Sequence, residues 1–238
     1  MTDIYSNILK AKARGQKLLA ILLDPDKLLL ENVATLISKI NQSPATHIFI
    51  GGSLVENNII DDLITAIKQQ CTLPVILFPG NPSQLSNKAD GILFLSLISG
   101  RNPDYLIGHQ VKAAPILKQA NLEIIPTAYI LIASGNETAV ASVSKTEPLD
   151  RNNAEYILST ALAGEMLGHK LLYLEAGSGA KYPVPLEVIQ LVSQNSGIPV
   201  IVGGGIQSHE GIAKAYSHGA DLVVIGTAFE NDFNFFNP

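Results

Sequence analysis

Eight short apolar runs punctuate the chain, each closing on a polar or glycine-containing turn. Residues 18–23 lead into Asp24-Pro25-Asp26, 47–50 into Gly51-Gly52-Ser53, and 75–78 into Pro79-Gly80-Asn81. Residues 91–97 lead into Ile98-Ser99-Gly100, 123–125 into Pro126-Thr127, and 170–174 into Glu175-Ala176-Gly177-Ser178-Gly179. The last two runs, 200–202 and 222–225, meet Gly203-Gly204-Gly205 and Gly226-Thr227. Uninterrupted apolar runs, as opposed to alternation, suit strands buried on both faces of a parallel sheet.

Helical spacing fills the intervals. Leu63, Ile64 and Ile67 predict a helix over 54–69, Ile157, Leu158, Ala161 and Leu162 one over 152–167, and Leu186, Ile189 and Leu191 one over 185–194. Ser208 reads as an N-cap and Gly219 as the stop after it. Eight strand–helix units with the unusual residues after the strands predict a (β/α)8 TIM barrel, in one domain over 1–238. Between the third and fourth runs there is little room for a helix, so the outer layer should be incomplete around the third unit. The longer interval 134–153 predicts a mobile loop over the active face.

Composition narrows the class. Charged residues make up 16% of the 238 residues, against roughly 25% in a typical soluble chain, and the net charge is −5. No broad basic surface is available for nucleic acid. One cysteine, Cys71, excludes an internal disulfide or a multi-cysteine zinc site, and reads as a buried or helix-end thiol. The N-terminal residues lack the apolar core of a signal peptide, and no run approaches the roughly 20 apolar residues of a membrane span. A soluble cytoplasmic protein is expected.

In such a barrel the strand-end turns converge on one rim. Gly203-Gly204-Gly205 and Gly226-Thr227, at the seventh and eighth strands, form a pattern suited to phosphate, because glycine lets backbone N–H groups approach an anion closely. Glu175, at the sixth turn, suits a base for a substrate hydroxyl or a buried structural carboxylate. Asp24 and Ser53, at adjacent strand ends, bring a carboxylate and a hydroxyl within reach of one hard cation such as magnesium; Asp24 equally suits a loop cap. Tyr129 projects into the mouth or packs against it. No histidine joins a Ser/His/Asp arrangement.

The motifs ILLDPDK (21–27), IGGS (50–53), FPGNPSQLS (78–86), ISGRNP (98–103), IPTAYIL (125–131), YLEAGSGA (173–180), GGGI (203–206) and ADLVVIGTAFE (220–230) resemble the geranylgeranylglyceryl phosphate synthase family over nearly the whole chain. The resemblance implies a magnesium-dependent prenyltransferase. Its substrates would be sn-glycerol 1-phosphate, reacting through the C3 hydroxyl, and an all-trans prenyl diphosphate, geranylgeranyl diphosphate foremost. It implies Asp24 and Ser53 at the metal, and Tyr173, Leu174, Glu175, Ala176, Gly177, Ser178 and Gly179 around the glycerol phosphate. Gly204, Gly205, Gly226 and Thr227 would hold its phosphate, Glu175 would act as base, and Tyr129 would stand at the substrate entrance. It further implies an apolar groove lined near Ile98, Ser99 and Gly100, transient contact with a membrane surface at product release, and a homo-oligomer, dimer or hexamer. The apolar segment 229–236 is the expected self-association element. One departure stands out: related bacterial members carry a lysine two residues before the first-strand aspartate, where this chain has Leu22, and Lys27 is the nearby cation. The rival expectation is an isomerase or lyase acting on a sugar phosphate in the same kind of barrel.

Overall fold

Runs of Leu, Ile and Val without polar interruption need cover on both faces, and a closed parallel barrel ringed by helices supplies it. The computed structural model describes residues 3–28, 32–52 and 59–236. Its strands are β1 (Leu18–Leu23), β2 (His47–Ile50), β3 (Val75–Leu77), β4 (Gly91–Leu97), β5 (Glu123–Leu131), β6 (Leu171–Glu175), β7 (Val200–Gly203) and β8 (Leu222–Ile225). Each pairs in parallel with the next, and β8 returns to β1, with Leu18 opposite Leu222 and Ile21 opposite Ile225.

The helices are α1 (Ile4–Ala13), α2 (Val33–Gln42), α3 (Ile60–Gln70), α4 (His109–Leu117), α5 (Ala139–Ser144), α6 (Ala154–Met166), α7 (Leu186–Asn195), α8 (His209–Ser217) and α9 (Thr227–Asn231). None is long and apolar enough to cross a membrane among the described residues. Ser208 caps α8 by accepting the Gly211 N–H at 3.1 Å, and Asn153 caps α6 by accepting that of Tyr156 at 3.1 Å. The predicted early start of α3 falls partly on residues 54–58, outside the described ones. Cys71 is buried at the C-cap of that helix.

Strand alternation divides the apolar side chains into two cores. Ala20, Phe49, Ile76, Leu93, Ile125, Leu171, Ile201 and Leu222 fill the barrel interior, with Ile4, Ile8 and Ala11 of α1 packed beneath them. Ile21, Leu23, Ile48, Ile50 and their neighbours pack outward against Leu36, Ile37, Ile40, Leu63, Ile64 and Ile67 of the helices. Glu123, at the start of β5, accepts the N–H groups of Ile4 and Tyr5 at 2.5 and 2.8 Å. This places a carboxylate against the unsatisfied donors of α1 and seats that helix across the barrel floor.

Three expectations need correction. β5 continues past Pro126 to Leu131, pairing Thr127–Leu131 with Leu171–Glu175, so Tyr129 lies within the strand and not after it. Pro126 withholds one donor, but it is only half-buried there, and the ladder resumes beyond it. The segment 134–153 is not all loop: it carries α5, Ile132 bridges Leu149, and the Tyr105 hydroxyl donates to the Val143 carbonyl at 3.1 Å. The C-terminal phenylalanines fold back on their own barrel instead of standing free. Phe229 is fully buried, Phe233, Phe235 and Phe236 pack on the outer core, and Phe235 stacks on His209 at 4.9 Å.

The incomplete layer is present where the spacing predicts it. Residues 78–90 contain only a 3-10 turn, Pro82–Gln84, whose start is capped by Asn81 accepting the Ser83 N–H at 2.8 Å. The outer wall between β3 and β4 therefore lacks its own helix, and α4 flanks β4 from the far side.

Candidate active site

The inward parity of each strand continues into its terminal turn. Leu22 and Asp24 follow Ala20, Phe78 follows Ile76, Tyr129 follows Ile125, and Glu175 follows Tyr173 on the inward side. One cavity at the rim gathers Asp24, Tyr129, Tyr173, Glu175, Gly177, Ser178, Gly179, Gly204, Gly205, Gly226 and Thr227. Leu174 and Ala176, in the same motif, are turned by that alternation into the outer core, so their side chains do not reach the cavity. Ser53 lies outside the described residues.

Glu175 ends β6 and is 5% exposed. Its Oε1 accepts the Gly177 N–H at 2.6 Å. Burial pushes its carboxyl up to about 7, an effect only partly offset by that N–H. No cation pairs with it among the described residues, so the side chain stands near the balance point between base and acid at neutral pH. The Tyr173 hydroxyl beside it is buried at the cavity wall, where it helps to hold the carboxylate charge without reaching good hydrogen-bond geometry. Burial, with the carboxylate nearby, pushes both Tyr173 and Tyr129 well above the ordinary phenol range, so both remain neutral donors.

Glycine is required around this carboxylate. A Cβ on Gly204 would stand 2.3 Å from Glu175 Oε1 and 2.5 Å from the Gly177 nitrogen, and its φ of +82° is left-handed. Gly203 would collide with the Tyr173 hydroxyl at 2.6 Å. Gly226 differs: its φ is −113°, and a Cβ would meet Leu22 only at 3.7 Å, in ordinary contact. The N–H groups of Ser178, Gly179, Gly205, Gly226 and Thr227 make no hydrogen bond among the described residues, leaving several donors on one cavity wall. Such donors hold an oxyanion without a basic side chain.

The opposite wall carries charge. Asp24 Oδ1 accepts the Asp26 N–H at 3.2 Å, the loop-cap arrangement, while the same carboxylate faces the cavity above Gly52. Lys27 Nζ lies 3.5 Å from Asp24 and 2.9 Å from Glu230 on α9. Glu230 and Phe78 are site residues that sequence reasoning misses. The parity of position 78 with Ile76 is a usable signal for Phe78. Glu230 meets Lys27 only because the barrel closes β8 against β1.

Below the polar cavity, Phe49, Phe78, Tyr129 and Tyr173 form an aromatic cluster. Phe78 stacks on Tyr173 at 5.2 Å, and Tyr129 stands edge-on to Tyr173 at 5.2 Å and to Phe78 at 5.8 Å. A second, apolar cavity begins at Phe78, Tyr129, Gly52 and Val140, which both cavities share, and runs past Pro82, Leu85, Phe94, Leu95, Tyr105 and Ala113. It occupies the gap left by the missing third helix. Ile98, Ser99 and Gly100 do not line it. Ile98 packs on the outer core, the Ser99 hydroxyl accepts the Leu131 N–H at 2.9 Å, and Gly100 abuts Thr146. Leu95 and Leu97 have the inward parity.

Because Glu175 keeps its proton to about pH 7 in the fold while an ordinary glutamate loses it near 4.5, the native state binds the extra proton between those values. Stability therefore falls as pH rises from 4.5 through 7, by roughly 3 kcal/mol when ionisation is complete. Glu175→Gln should remove that loss. Denaturant titrations at pH 5 and 8 should show the variant gaining on the parent at the higher pH; parallel pH dependences would contradict a buried, protonated Glu175.

Comparison with known proteins points the same way. A protein of Flavobacterium johnsoniae named geranylgeranylglyceryl phosphate synthase is 70% identical, covering all of this chain and 98% of its own length. One of the same name from Zunongwangia profunda is 54% identical over 97% of this chain and 98% of its own. The crystal structure of (S)-3-O-geranylgeranylglyceryl phosphate synthase from Thermoplasma acidophilum, in complex with substrate sn-glycerol-1-phosphate, superposes with a TM-score of 0.93 at 36% identity, covering 99% and 95% of the two chains. The model of the PcrB family matches residues 11–237, and with that extent of similarity the chain belongs to the PcrB family.

Proposed function

We propose that this protein joins the C3 hydroxyl of sn-glycerol 1-phosphate to C1 of a long all-trans prenyl diphosphate, geranylgeranyl diphosphate foremost, and releases diphosphate. The observation that carries the reading is the junction of two unlike cavities at Phe78 and Tyr129, one polar and centred on Glu175, the other apolar and open to the outside of the barrel. A sugar-phosphate isomerase or lyase would need the first and have no use for the second. Relatives of high identity that bear the synthase name, and a similar barrel that binds sn-glycerol-1-phosphate, support the same reading.

The free N–H groups around Gly205, Gly226 and Thr227 suit the phosphate of glycerol phosphate, leaving its hydroxyl end toward Glu175. The prenyl chain fits the apolar groove, with its diphosphate at the Asp24 and Lys27 wall. In the reaction the glycerol O3–C1 bond forms as the bond from C1 to the diphosphate oxygen breaks. The leaving group keeps that electron pair, and the hydroxyl proton passes to Glu175. Positive charge grows at the allylic carbon, and the faces of Phe78, Tyr129 and Tyr173 present electron-rich π systems close to that point.

The donor set fits magnesium in the way that ion is usually held, by one or two protein oxygens plus substrate phosphates. Asp24 supplies a carboxylate to the cavity, Ser53 is the other expected ligand, and no cluster of three or more His, Cys, Asp or Glu is present among the described residues. When bound, magnesium would neutralise charge on the departing diphosphate. The proposed setting is the cytoplasm, with brief contact at a membrane surface as the lipid product leaves the open groove.

Self-association belongs to the same reading, on a different surface from the C-terminal phenylalanines. Ile107, Val111 and Ile116 around α4 are 51–63% exposed, and Met166 and Leu167 at the end of α6 are 84% and 74% exposed. Apolar side chains grouped at that exposure suit a contact between copies of the chain.

Three measurements test these assignments. Incubation with sn-glycerol 1-phosphate, magnesium and prenyl diphosphates of graded length should yield the ether product, and Glu175→Gln should slow turnover at least about a hundredfold with the fold intact. No ether at any chain length would overturn the function, and near-parental turnover would overturn the role of Glu175. Asp24→Asn should raise the magnesium concentration needed for half-maximal rate; an unchanged requirement removes Asp24 from the metal. Sedimentation velocity should give a mass that is a multiple of 25.4 kDa; a monomer at every concentration would rule out the oligomer.

A further inference from the structure

We propose that Glu230 is a positioning residue that holds Lys27 ready for the prenyl diphosphate. The inference rests on the functional reading above. Lys27 is the one Lys, Arg or His side chain lining the polar cavity among the described residues, where three carboxylates, Asp24, Glu175 and Glu230, also face inward. Two anionic substrates entering such a cavity need that cation in place.

The geometry around Lys27 does this. Glu230 Oε2 accepts from Lys27 Nζ at 2.9 Å, while Glu230 Oε1 accepts the Asp24 N–H at 3.3 Å. One carboxylate therefore grips both ends of the turn from Asp24 to Lys27, and both of its oxygens are in use. The Glu230 side chain is 10% exposed and that of Lys27 is 48% exposed, so the anchor is buried and the ammonium is not. Asp24 Oδ2, at 3.5 Å, is beyond a good hydrogen bond to the ammonium. Of the three N–H donors on Nζ, Glu230 takes one, Asp24 draws weakly on a second, and one remains for an incoming phosphate oxygen.

A lysine stem otherwise explores many rotamers, and ordering it on binding costs affinity. The ion pair settles that orientation beforehand. Glu230 also sits at the far end of α9, whose first residue is Thr227. The short helix that begins beside Gly226 thus orients the cation near its end.

The test uses steady-state kinetics on the full chain for both substrates, with pyrophosphate binding by calorimetry in the presence of magnesium. Glu230→Gln should raise KM for the prenyl diphosphate about fivefold and weaken pyrophosphate binding similarly, with KM for glycerol 1-phosphate changed less than about twofold. Glu230→Asp should recover part of the loss. In a Lys27→Met background, Glu230→Gln should add nothing further, because its effect runs through the ammonium. A parallel rise in both KM values, or a full additional loss in the Lys27→Met background, would overturn the proposal. Should Glu230→Gln fail to fold, Lys27→Met alone decides: pyrophosphate binding as tight as in the parent rules the proposal out. Absence of ether product from the parent would count against the functional reading, while pyrophosphate binding would still judge Glu230.

Discussion

Closing eight parallel strands forces every second side chain into a lumen with no exit except at its two ends. That constraint organises everything above it. The floor is sealed by α1, which Glu123 seats by accepting the first-turn N–H groups of Ile4 and Tyr5. The middle is filled by apolar and aromatic side chains up to Phe49, Phe78, Tyr129 and Tyr173. Polar chemistry is therefore confined to the top layer, and Glu175 enters it as the next inward residue after Tyr173. Its position against an apolar packing layer denies it solvent, and this raises its proton affinity toward neutral pH.

The same confinement explains how so few charges serve anionic substrates. The cavity wall of β6, β7 and β8 presents backbone N–H groups, and only glycine permits chain and carboxylate to approach as closely as Gly204 and Glu175 do. Oriented N–H groups attract an oxyanion without adding a long cationic side chain that must be ordered. Charge is concentrated on the other wall, where Asp24, Lys27 and Glu230 form one connected group. A chain with 16% charged residues spends few of them in the cavity that carries the chemistry.

Omission of one helix supplies the second half of the site. With only a 3-10 turn between β3 and β4, the outer wall of those strands opens into the apolar cavity, and Phe78 and Tyr129 form its junction with the lumen. A barrel lumen is too full to hold a long chain, so a hydrocarbon substrate must lie outside it, and a missing helix is the direct way to expose apolar wall without breaking the strand ladder.

Much of this was legible before any coordinates. The runs that became β1, β2, β4 and β8 match their strands end to end, because buried parallel strands carry uninterrupted apolar residues and glycine turns mark their ends. The short interval at 78–90 announced the missing helix, and the motifs placed Glu175, Asp24 and the glycines at one rim. Motif membership could not say which side of a strand a residue faces. Leu174 and Ala176 lie within YLEAGSGA yet turn outward, and Tyr129 is deep in β5 because Pro126 bends the expectation of a turn without ending the ladder. The apolar segment 229–236 reads as a self-association element, and the fold shows its phenylalanines packed, wholly or in part, on their own barrel. Glu230 had no signal at all, since its partners lie some two hundred residues away in the chain. Local pattern determines which segments are strands and which residue types wait at their ends. Only closure, which sets strand parity and brings β8 beside β1, decided which of those residues meet, because direction and proximity are properties of the ring and not of any one strand.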